Sequence, residues 1–257
     1  MEDAELVFEI ISGKDEMDST SVGVKKEENW NLEIKNLKIG IPKEFFAKGI
    51  DPEVEKIVRS VIKGYETLGA KIKEISLPYS TDHALATYYI IMPSEVSANL
   101  ARYDGIKYGY SAKESADLFD FYLRTRREGF GLEVRRRIML GTYTLSAGYY
   151  DAYYLRAQKM RTLIKDSFDR AFEKVDVLIT PVSPTTAFKA GERMTNPLSM
   201  YLSDIYMGAV NLAGLPAISI PCGKTGNLPV NFQIIGNKFE ENKIIEVGKF
   251  FEKIINL

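Results

Sequence analysis

Side chains that could act as catalytic nucleophiles are few in this sequence and are not grouped in a recognisable motif. The 257 residues include one histidine, His83, and one cysteine, Cys222. A nucleophile needs a base within hydrogen-bond reach, and nothing in the spacing of these two residues couples them as such a pair. The sequence contains no G-x-S-x-G and no glycine-serine-rich turn. We therefore expect no catalytic residue in this chain and an active site completed by residues from elsewhere.

Three consecutive arginines, Arg135–Arg137, are candidates for binding phosphate. Successive residues of an α-helix are about 100° apart around the axis, so these side chains spread over about 200°. They cannot form one face. We therefore expect at least two of them to lie on a solvated surface.

Composition excludes several classes of protein. Lys and Arg total 34 and Asp and Glu 35, a net charge of -1, so no global field favours nucleic acid or an anionic membrane. A single cysteine excludes an internal disulfide and fits a reducing cytosol, and one histidine without a cysteine cluster argues against a structural zinc site. No apolar run approaches the roughly 20 residues of a membrane span. These features predict a soluble, cytoplasmic α/β protein without a metal site.

The first half of the chain predicts a parallel strand–helix–strand unit. A strand over 37–42 ends at a proline, Asp51 and Pro52 begin a helix that Gly69 closes, and a second strand covers 70–77. Before this unit, the chain opens inside a helix whose apolar face includes Leu6 and Ile10 and which Gly13 ends in the left-handed conformation. A start in mid-helix suggests a piece of a larger domain.

The second half predicts a helical insertion followed by more strands. The segment from about 82 to 174 is helical almost throughout, and its longest helix, from about 149 to 172, carries an aromatic and aliphatic stripe predicted to be core. The apolar run 176–180 predicts a buried central strand. A helix over about 200–212, strands over 217–221 and 230–235, and a final helix follow. This pattern favours one α/β domain with a large helical insertion over two independent domains.

Several segments in combination resemble the amidase-signature family. They are TPVSP (180–184), NLAGLPA (211–217), PVNFQIIG (229–236), EVSANLARYDGIKYG (95–109) and RRIMLGTYTLSAGYYDAYYLRAQKMRTLI (136–164). The last two are most similar to the A-subunit family of the amidotransferases that act on glutamyl-tRNA(Gln) or aspartyl-tRNA(Asn). The resemblance covers nearly the whole chain.

This resemblance implies a serine amidase that hydrolyses glutamine and delivers the ammonia to a partner, which converts Glu-tRNA(Gln) after ATP-dependent activation. The family's catalytic lysine and two serines lie in an N-terminal signature that no position of this chain matches. We therefore expect residues 1–257 to be the C-terminal part of a single amidase-signature domain, a mixed sheet surrounded by helices. The implied partners are the missing N-terminal half, the B and C subunits and, indirectly, Glu-tRNA(Gln), with ATP and Mg²⁺ on the partner subunit.

The same resemblance implies three glutamine-binding residues, namely Tyr88, Arg137 and Asp204. Free glutamine is a zwitterion, so a specific site needs a cation for its carboxylate and a carboxylate for its ammonium group. A guanidinium grips a carboxylate with two parallel hydrogen bonds. Arg137 and Asp204 match these roles, and Tyr88 matches a tyrosine that hydrogen-bonds the ligand.

Two other functions remain open at this point. The chain is alternatively part of a general amidase for small amides, which needs no tRNA partner, or a non-catalytic scaffold domain. A neutral amide has no use for both Arg137 and Asp204, which argues against the general amidase. An upstream reading frame with a lysine and a glycine-serine-rich stretch would argue against the scaffold.

Overall fold

The described part of the chain falls into two compact units. A computed structural model describes residues 1–23, 32–47, 49–192 and 200–255. Residues 1–85 with 163–257 form one unit, which we call the sheet unit, and residues 86–162 form the other, which we call the helical unit. The helical unit lies inside the segment that the sequence predicts to be a helical insertion.

Five strands form a mixed sheet in the described part of the sheet unit. They are β1 (Lys38–Pro42), β2 (Lys71–Ile75), β3 (Val177–Pro181), β4 (Ala217–Thr225) and β5 (Leu228–Ile235), in the order β2-β1-β3-β5-β4. β1 runs parallel to β2 and β3, whereas β5 is antiparallel to β3 and β4. β3 is central and all five of its residues are buried. The predicted α/β class and the predicted central strand are confirmed.

The predicted crossover between β1 and β2 is also confirmed, and it builds the core. Helix α2 (Pro52–Thr67) begins where the Asp51 carboxylate accepts the Glu53 N–H at 2.8 Å. Its buried face packs against the sheet together with the final helix, α8 (Glu241–Ile255). The buried Tyr65 hydroxyl donates to the Val247 carbonyl at 2.8 Å, tying α2 to α8.

The helix predicted over 200–212 is interrupted. In its described part, a 3₁₀ turn at Leu202–Asp204 precedes a short helix, α7 (Gly208–Ala213). The Tyr206 carbonyl accepts a hydrogen bond from the buried Gln233 side chain at 3.2 Å, instead of continuing a helical ladder. Gly214, at φ 68°, then ends α7 in the left-handed conformation.

The first helix, α1 (Glu2–Ile11), differs from its prediction at the C-terminal end. Ser12 caps it in an extended conformation, and Gly13 follows at φ 139°, well away from the φ of a left-handed helical stop. The helix is held against α8 by an ion pair between Glu5 and Lys249 at 2.8 Å. Its predicted apolar face is exposed.

The helical unit contains most of the predicted insertion. Its helices are α3 (Asp82–Leu100), α4 (Leu118–Gly129), α5 (Leu132–Leu145), a π-helical turn (Asp151–Leu155) and α6 (Arg156–Phe172), of which α3 and α6 also contribute residues to the sheet unit. The Leu155 N–H donates to the Tyr150 carbonyl at 3.0 Å, a spacing of five residues. This wider turn takes Tyr150 and Tyr153 out of the helical stripe, and both are exposed, so their prediction as core was wrong.

Helices α3 and α5 approach each other closely at a glycine. A Cβ atom added to Gly141 would lie 1.9 Å from the Pro93 carbonyl oxygen. Beside it, the buried hydroxyls of Ser94 and Thr144 are 2.8 Å apart. This contact sets the position of α5, which carries the arginines, against α3. No helix in the described segments is long and apolar enough to cross a membrane.

Candidate functional site

Arg137 lies half-buried on α5 and is held by two neighbours in the helical unit. Its Nε is 3.1 Å from Glu133 Oε1, an ion pair across one helical turn. Its Nη1 lies 3.7 Å from the Met92 sulfur of α3. The carboxylate and the thioether together restrict the guanidinium, and Nε is the atom that the carboxylate occupies. The Nη1–Nη2 edge is therefore the side from which a ligand carboxylate can be bound.

Tyr88 lies on the same helix as the methionine that contacts Arg137. Tyr88 and Met92 are four residues apart on α3, so they share one face of that helix. The half-buried Tyr88 ring packs edge-on against Tyr89, with 5.2 Å between ring centroids. Two of the three predicted ligand residues therefore belong to the α3–α5 pair of the helical unit.

Asp204 belongs to the sheet unit. It ends the 3₁₀ turn, it is half-buried, and its backbone carbonyl accepts the Met207 N–H at 3.0 Å. Ser203, its neighbour in the chain, lines a cavity of about 250 Å³. The other residues lining this cavity include Val54, Ser183, Thr186 and Asn231. Asp204 therefore lies next to a cavity whose lining carries hydroxyl and amide groups as well as apolar side chains.

The three consecutive arginines occupy different surroundings, as their angular spread predicts. Arg136 is exposed, and its Nη1 lies 2.6 Å from Glu133 Oε2. Arg135 is half-buried, and its Nε is buried without a hydrogen-bond partner among the described residues. The prediction that at least two of the three lie on a solvated surface was therefore wrong. The two outer positions of the 200° fan reach partly covered surface, and only the middle position faces solvent.

Glu133 and Met92 are site residues that the sequence interpretation missed. Both contact the Arg137 guanidinium. A signal was available for Glu133, because a glutamate four residues before an arginine on a helix predicts an ion pair. Met92 offered no comparable signal, since its contact depends on how α3 packs against α5.

The two candidate nucleophiles of the sequence lie in the sheet unit and are not activated. Cys222 is half-buried, and its thiol donates to the Val230 carbonyl at 3.3 Å. Burial raises the pKa of this thiol to about 11, so it stays protonated at neutral pH. His83 is exposed and packs edge-on against Tyr79 at 5.7 Å between ring centroids.

One spacing of the S-x-x-K type does occur, at Ser60 and Lys63 of α2. This spacing marks a serine nucleophile in some hydrolases. Here both side chains are exposed, and the Ser60 hydroxyl donates to the Ile57 carbonyl at 2.7 Å. A hydroxyl engaged with its own helix on an open surface lacks the activating environment that catalysis needs. We therefore assign the pair to the helix surface.

Across residues 1–23, 32–47, 49–192 and 200–255, no group of three or more His, Cys, Asp or Glu side chains is placed to hold a metal ion. The acidic and imidazole side chains described above are dispersed or paired with cations. The chemistry that the described residues can perform is therefore recognition of charged groups by side chains.

The family is decided by comparison with known proteins. The family model described as Amidase matches residues 1–245 of the 257. This chain belongs to the amidase family. Its α/β sheet and its paired helices are therefore to be understood as part of an amidase fold.

Relatives within the amidase family are similar over nearly the whole chain. The A subunit of glutamyl-tRNA(Gln) amidotransferase from Carboxydothermus hydrogenoformans is 56% identical over 256 residues, which are 98% of this chain and 53% of that protein. The protein of the same name from a Sulfurihydrogenibium species is 52% identical over 257 residues, 99% of this chain and 53% of that protein. This chain thus spans about half the length of the curated relatives it matches.

Solved structures of amidases agree with this relationship. In the crystal structure of its Thermotoga maritima counterpart, the A subunit of glutamyl-tRNA(Gln) amidotransferase is 40% identical, with a TM-score of 0.72 over 94% of this chain and 48% of that one. A bacterial aryl acylamidase of the amidase-signature family shares the fold at 21% identity, with a TM-score of 0.68 over 94% of this chain and 49% of that one. The fold is common to the family, whereas the sequence similarity is greater to the amidotransferase.

Proposed function

We propose that this chain is the glutamine-recognition part of the A subunit of a tRNA-dependent amidotransferase. In the complete enzyme, this component hydrolyses glutamine and supplies the ammonia that converts Glu-tRNA(Gln) to Gln-tRNA(Gln). The observation that carries this proposal is the 56% identity to the Carboxydothermus protein over 98% of the chain. The same proposal places the protein in the cytosol, where translation occurs.

Arg137 is the residue that we assign to the glutamine carboxylate. Its guanidinium is half-buried and held through Nε by Glu133, which leaves its Nη edge for a second carboxylate. Tyr88, on the face of α3 that also carries Met92, is assigned to hydrogen-bond the ligand. Asp204 is assigned to the ammonium group, because a carboxylate in a partly covered position recognises a cation through a charge-assisted hydrogen bond.

The remaining parts of the reaction come from outside this chain. The serine nucleophile and its base are expected on the other half of the amidase domain, since the described residues include no activated nucleophile. The B and C subunits are expected to complete the complex and to bind Glu-tRNA(Gln). ATP and Mg²⁺ are expected on the partner subunit, which activates the tRNA-linked glutamate.

A general amidase for small amides is the second candidate function, and the amidase fold by itself supports it. A small neutral amide carries neither the carboxylate nor the ammonium group for which Arg137 and Asp204 are suited. A scaffold without catalytic function is a third candidate. It needs neither side chain to bind anything.

The proposal is tested by supplying the missing half. The chain is co-expressed with the half of the Carboxydothermus hydrogenoformans relative that it does not match, together with the B and C subunits of that organism. We expect the purified complex to release ammonia from glutamine and to amidate Glu-tRNA(Gln). A complex that hydrolyses propionamide at least as well as glutamine would establish the general amidase. A complex that hydrolyses neither would support the scaffold.

A further inference from the structure

The described sheet has two outer strands, β2 and β4, and their hydrogen-bonding edges differ. An outer strand presents a row of unpaired N–H and C=O groups that another strand can pair with, unless charges, proline or a bulge protect it. Which groups face outward follows from the hydrogen bonds that each strand makes to its one neighbour.

In β4, the outward groups belong to Ala217 and Ser219. The Gly236 N–H donates to the Pro216 carbonyl at 3.0 Å, which makes these two residues a hydrogen-bonded antiparallel pair. Hydrogen-bonded and non-bonded pairs alternate along such a ladder. The next residue, Ala217, and then Ser219 therefore direct N–H and C=O away from β5. Pro221, which follows at the next outward position, has no N–H to offer.

In β2, the outward groups belong to Ile72 and Glu74. The Lys71 N–H donates to the Leu37 carbonyl at 2.8 Å, so Lys71 faces β1 and the next residue faces outward. The side chains of Lys71, Lys73 and Glu74 are exposed along this edge. Charged side chains on an outer strand oppose pairing with a further strand.

The first half of β4 has no such protection. Residues 217–220 carry no charge, and the bulge and the lysine of this strand come later, at Pro221–Gly223 and at Lys224. Two donors and two acceptors are therefore available over four uncharged residues. A strand of another segment can add there without meeting a charge.

An exposed apolar helix face continues this edge. A Cβ atom added to Gly248 of α8 would lie 2.8 Å from the Met1 sulfur and 2.9 Å from the Ile220 side chain, so the start of α1 lies beside the end of the uncharged part of β4. Four apolar side chains of α1 are each more than half exposed, namely Leu6, Val7, Ile10 and Ile11. We call the outward backbone of residues 217–220 and these four side chains the open edge.

We propose that the open edge is where the other half of the amidase domain docks, adding a strand to β4 and covering the apolar face of α1. The occupant's identity rests on the proposed function. This chain spans 53% of its Carboxydothermus relative, so a segment of similar size is available to bury this surface. The charged edge at β2 stays an outer edge of the completed sheet.

Amide hydrogen exchange tests the location of docking. The chain is measured alone and in complex with the unmatched half of the Carboxydothermus protein. We expect exchange at the Ala217 and Ser219 amides to slow on complex formation, while the Ile72 and Glu74 amides keep their rates. Slowing at β2 instead, a complex without slowing at β4, or no complex at all overturns the proposal. So does the same slowing at β4 in the chain alone at high concentration, since the occupant would then be a second copy.

Two matched proline variants remove one outward donor from each edge. Ala217→Pro should weaken binding of the other half about tenfold, because the lost hydrogen bond leaves its partner carbonyl unpaired. Glu74→Pro, at an outward position of β2, should bind like the unaltered chain. Equal affinities for both variants, or a weaker Glu74→Pro, overturn the proposal. A complex that shows the β4 effects but hydrolyses no glutamine contradicts only the proposed function.

Discussion

Glu133 and Arg137 form an ion pair across one turn of α5, with 3.1 Å between the carboxylate oxygen and Nε. This contact uses the side of the guanidinium that a bidentate ligand does not need. Nη1 meets the Met92 sulfur at 3.7 Å, and a thioether is a weak acceptor. A substrate carboxylate can displace it at little cost. The ion pair therefore orients Arg137 without blocking its proposed role.

Removing the arginine should impair use of glutamine selectively. In the complete complex, Arg137→Ala should raise the KM for glutamine by a factor of about 30 to 5000, which corresponds to the roughly 2–5 kcal/mol that breaking a desolvated charged pair costs. Asp204→Ala should act in the same direction. Ammonia bypasses the glutamine pocket, so transamidation with ammonium chloride should persist. Steady-state kinetics with each donor measures both.

Arg136→Ala is the matched control for Arg137→Ala. Arg136 is adjacent on α5, pairs with the same glutamate and is more exposed, so its loss should change the glutamine KM little. Arg135 is a poorer control because its Nε is buried. Equal loss of both donors in Arg137→Ala would show that Arg137 is structural.

Neutralising Glu133 should have a smaller effect of the same kind. Glu133→Gln keeps the size of the side chain but weakens its hold on the guanidinium. The ion pair is partly exposed and about 0.3–0.5 kcal/mol is typical for such helix pairs, so we expect the glutamine KM to rise about twofold. The ammonia-dependent rate should stay constant. A KM lowered by this variant would show that the glutamate competes with the substrate instead of orienting its arginine.

The chain alone should release no ammonia from glutamine above background. Acyl transfer needs a nucleophile beside a base, and Cys222 is protonated because burial raises its pKa to about 11. The measurement is a coupled ammonia assay on protein purified from a host without its own glutaminases. Cys222→Ser serves as a control for adventitious thiol chemistry. Activity that is lost in that control would contradict the assignment of the nucleophile to the other half.

Gly141→Ala should destabilise the helical unit by about 2 kcal/mol. Alanine is favoured over glycine in a helix by about 1 kcal/mol. The new Cβ would lie 1.9 Å from the Pro93 carbonyl oxygen, a backbone atom that cannot move without shifting α3, and overpacking of this kind typically costs about 1–3 kcal/mol. A urea melt measures the change. Met139→Ala, at an exposed position of α5, should stay within about 0.5 kcal/mol, and an increased midpoint for Gly141→Ala would contradict the close approach.

Tyr206 should make the sheet unit sensitive to alkali. Burial, and secondly the charge of Glu55, raise the pKa of this phenol from 10.0 to about 12. Between these two values the unfolded chain releases the proton and the folded chain keeps it, so the free energy of unfolding falls as the pH rises. The contribution approaches about 2–3 kcal/mol at the upper end of the window.

The Tyr206→Phe variant isolates this contribution. It keeps the ring that stacks on Phe45 at 5.4 Å between centroids but has no proton to lose. We expect the variant to lose less stability than the unaltered protein when urea melts at about pH 9 and about pH 11.5 are compared. Tyr108→Phe, at an exposed position, is the control. Identical pH dependence in both variants would exclude Tyr206 as a source of alkaline sensitivity.

Local patterns in the sequence were sufficient for the elements of the sheet unit. The Asp51–Pro52 pair correctly predicted the start of α2, because an N-cap carboxylate and a proline act within one turn of the chain. The apolar run near Leu178 correctly predicted the central strand, since a strand covered on both faces needs apolar residues at every position. The resemblance to amidases likewise depended on contiguous segments and is confirmed by the family match.

Tertiary packing decided what covers each face. Periodicity correctly grouped Leu6 and Ile10 on one side of α1, but only the fold shows that this side is exposed. It could not reveal that α5 approaches α3 at Gly141, nor that Met92 thereby reaches Arg137. These contacts join residues far apart in the chain, and hydrophobic spacing carries no information about which partner will cover a face. The sequence by itself thus determined the elements and the family, whereas the surroundings of the arginines and the open edge of β4 arose only when the elements packed.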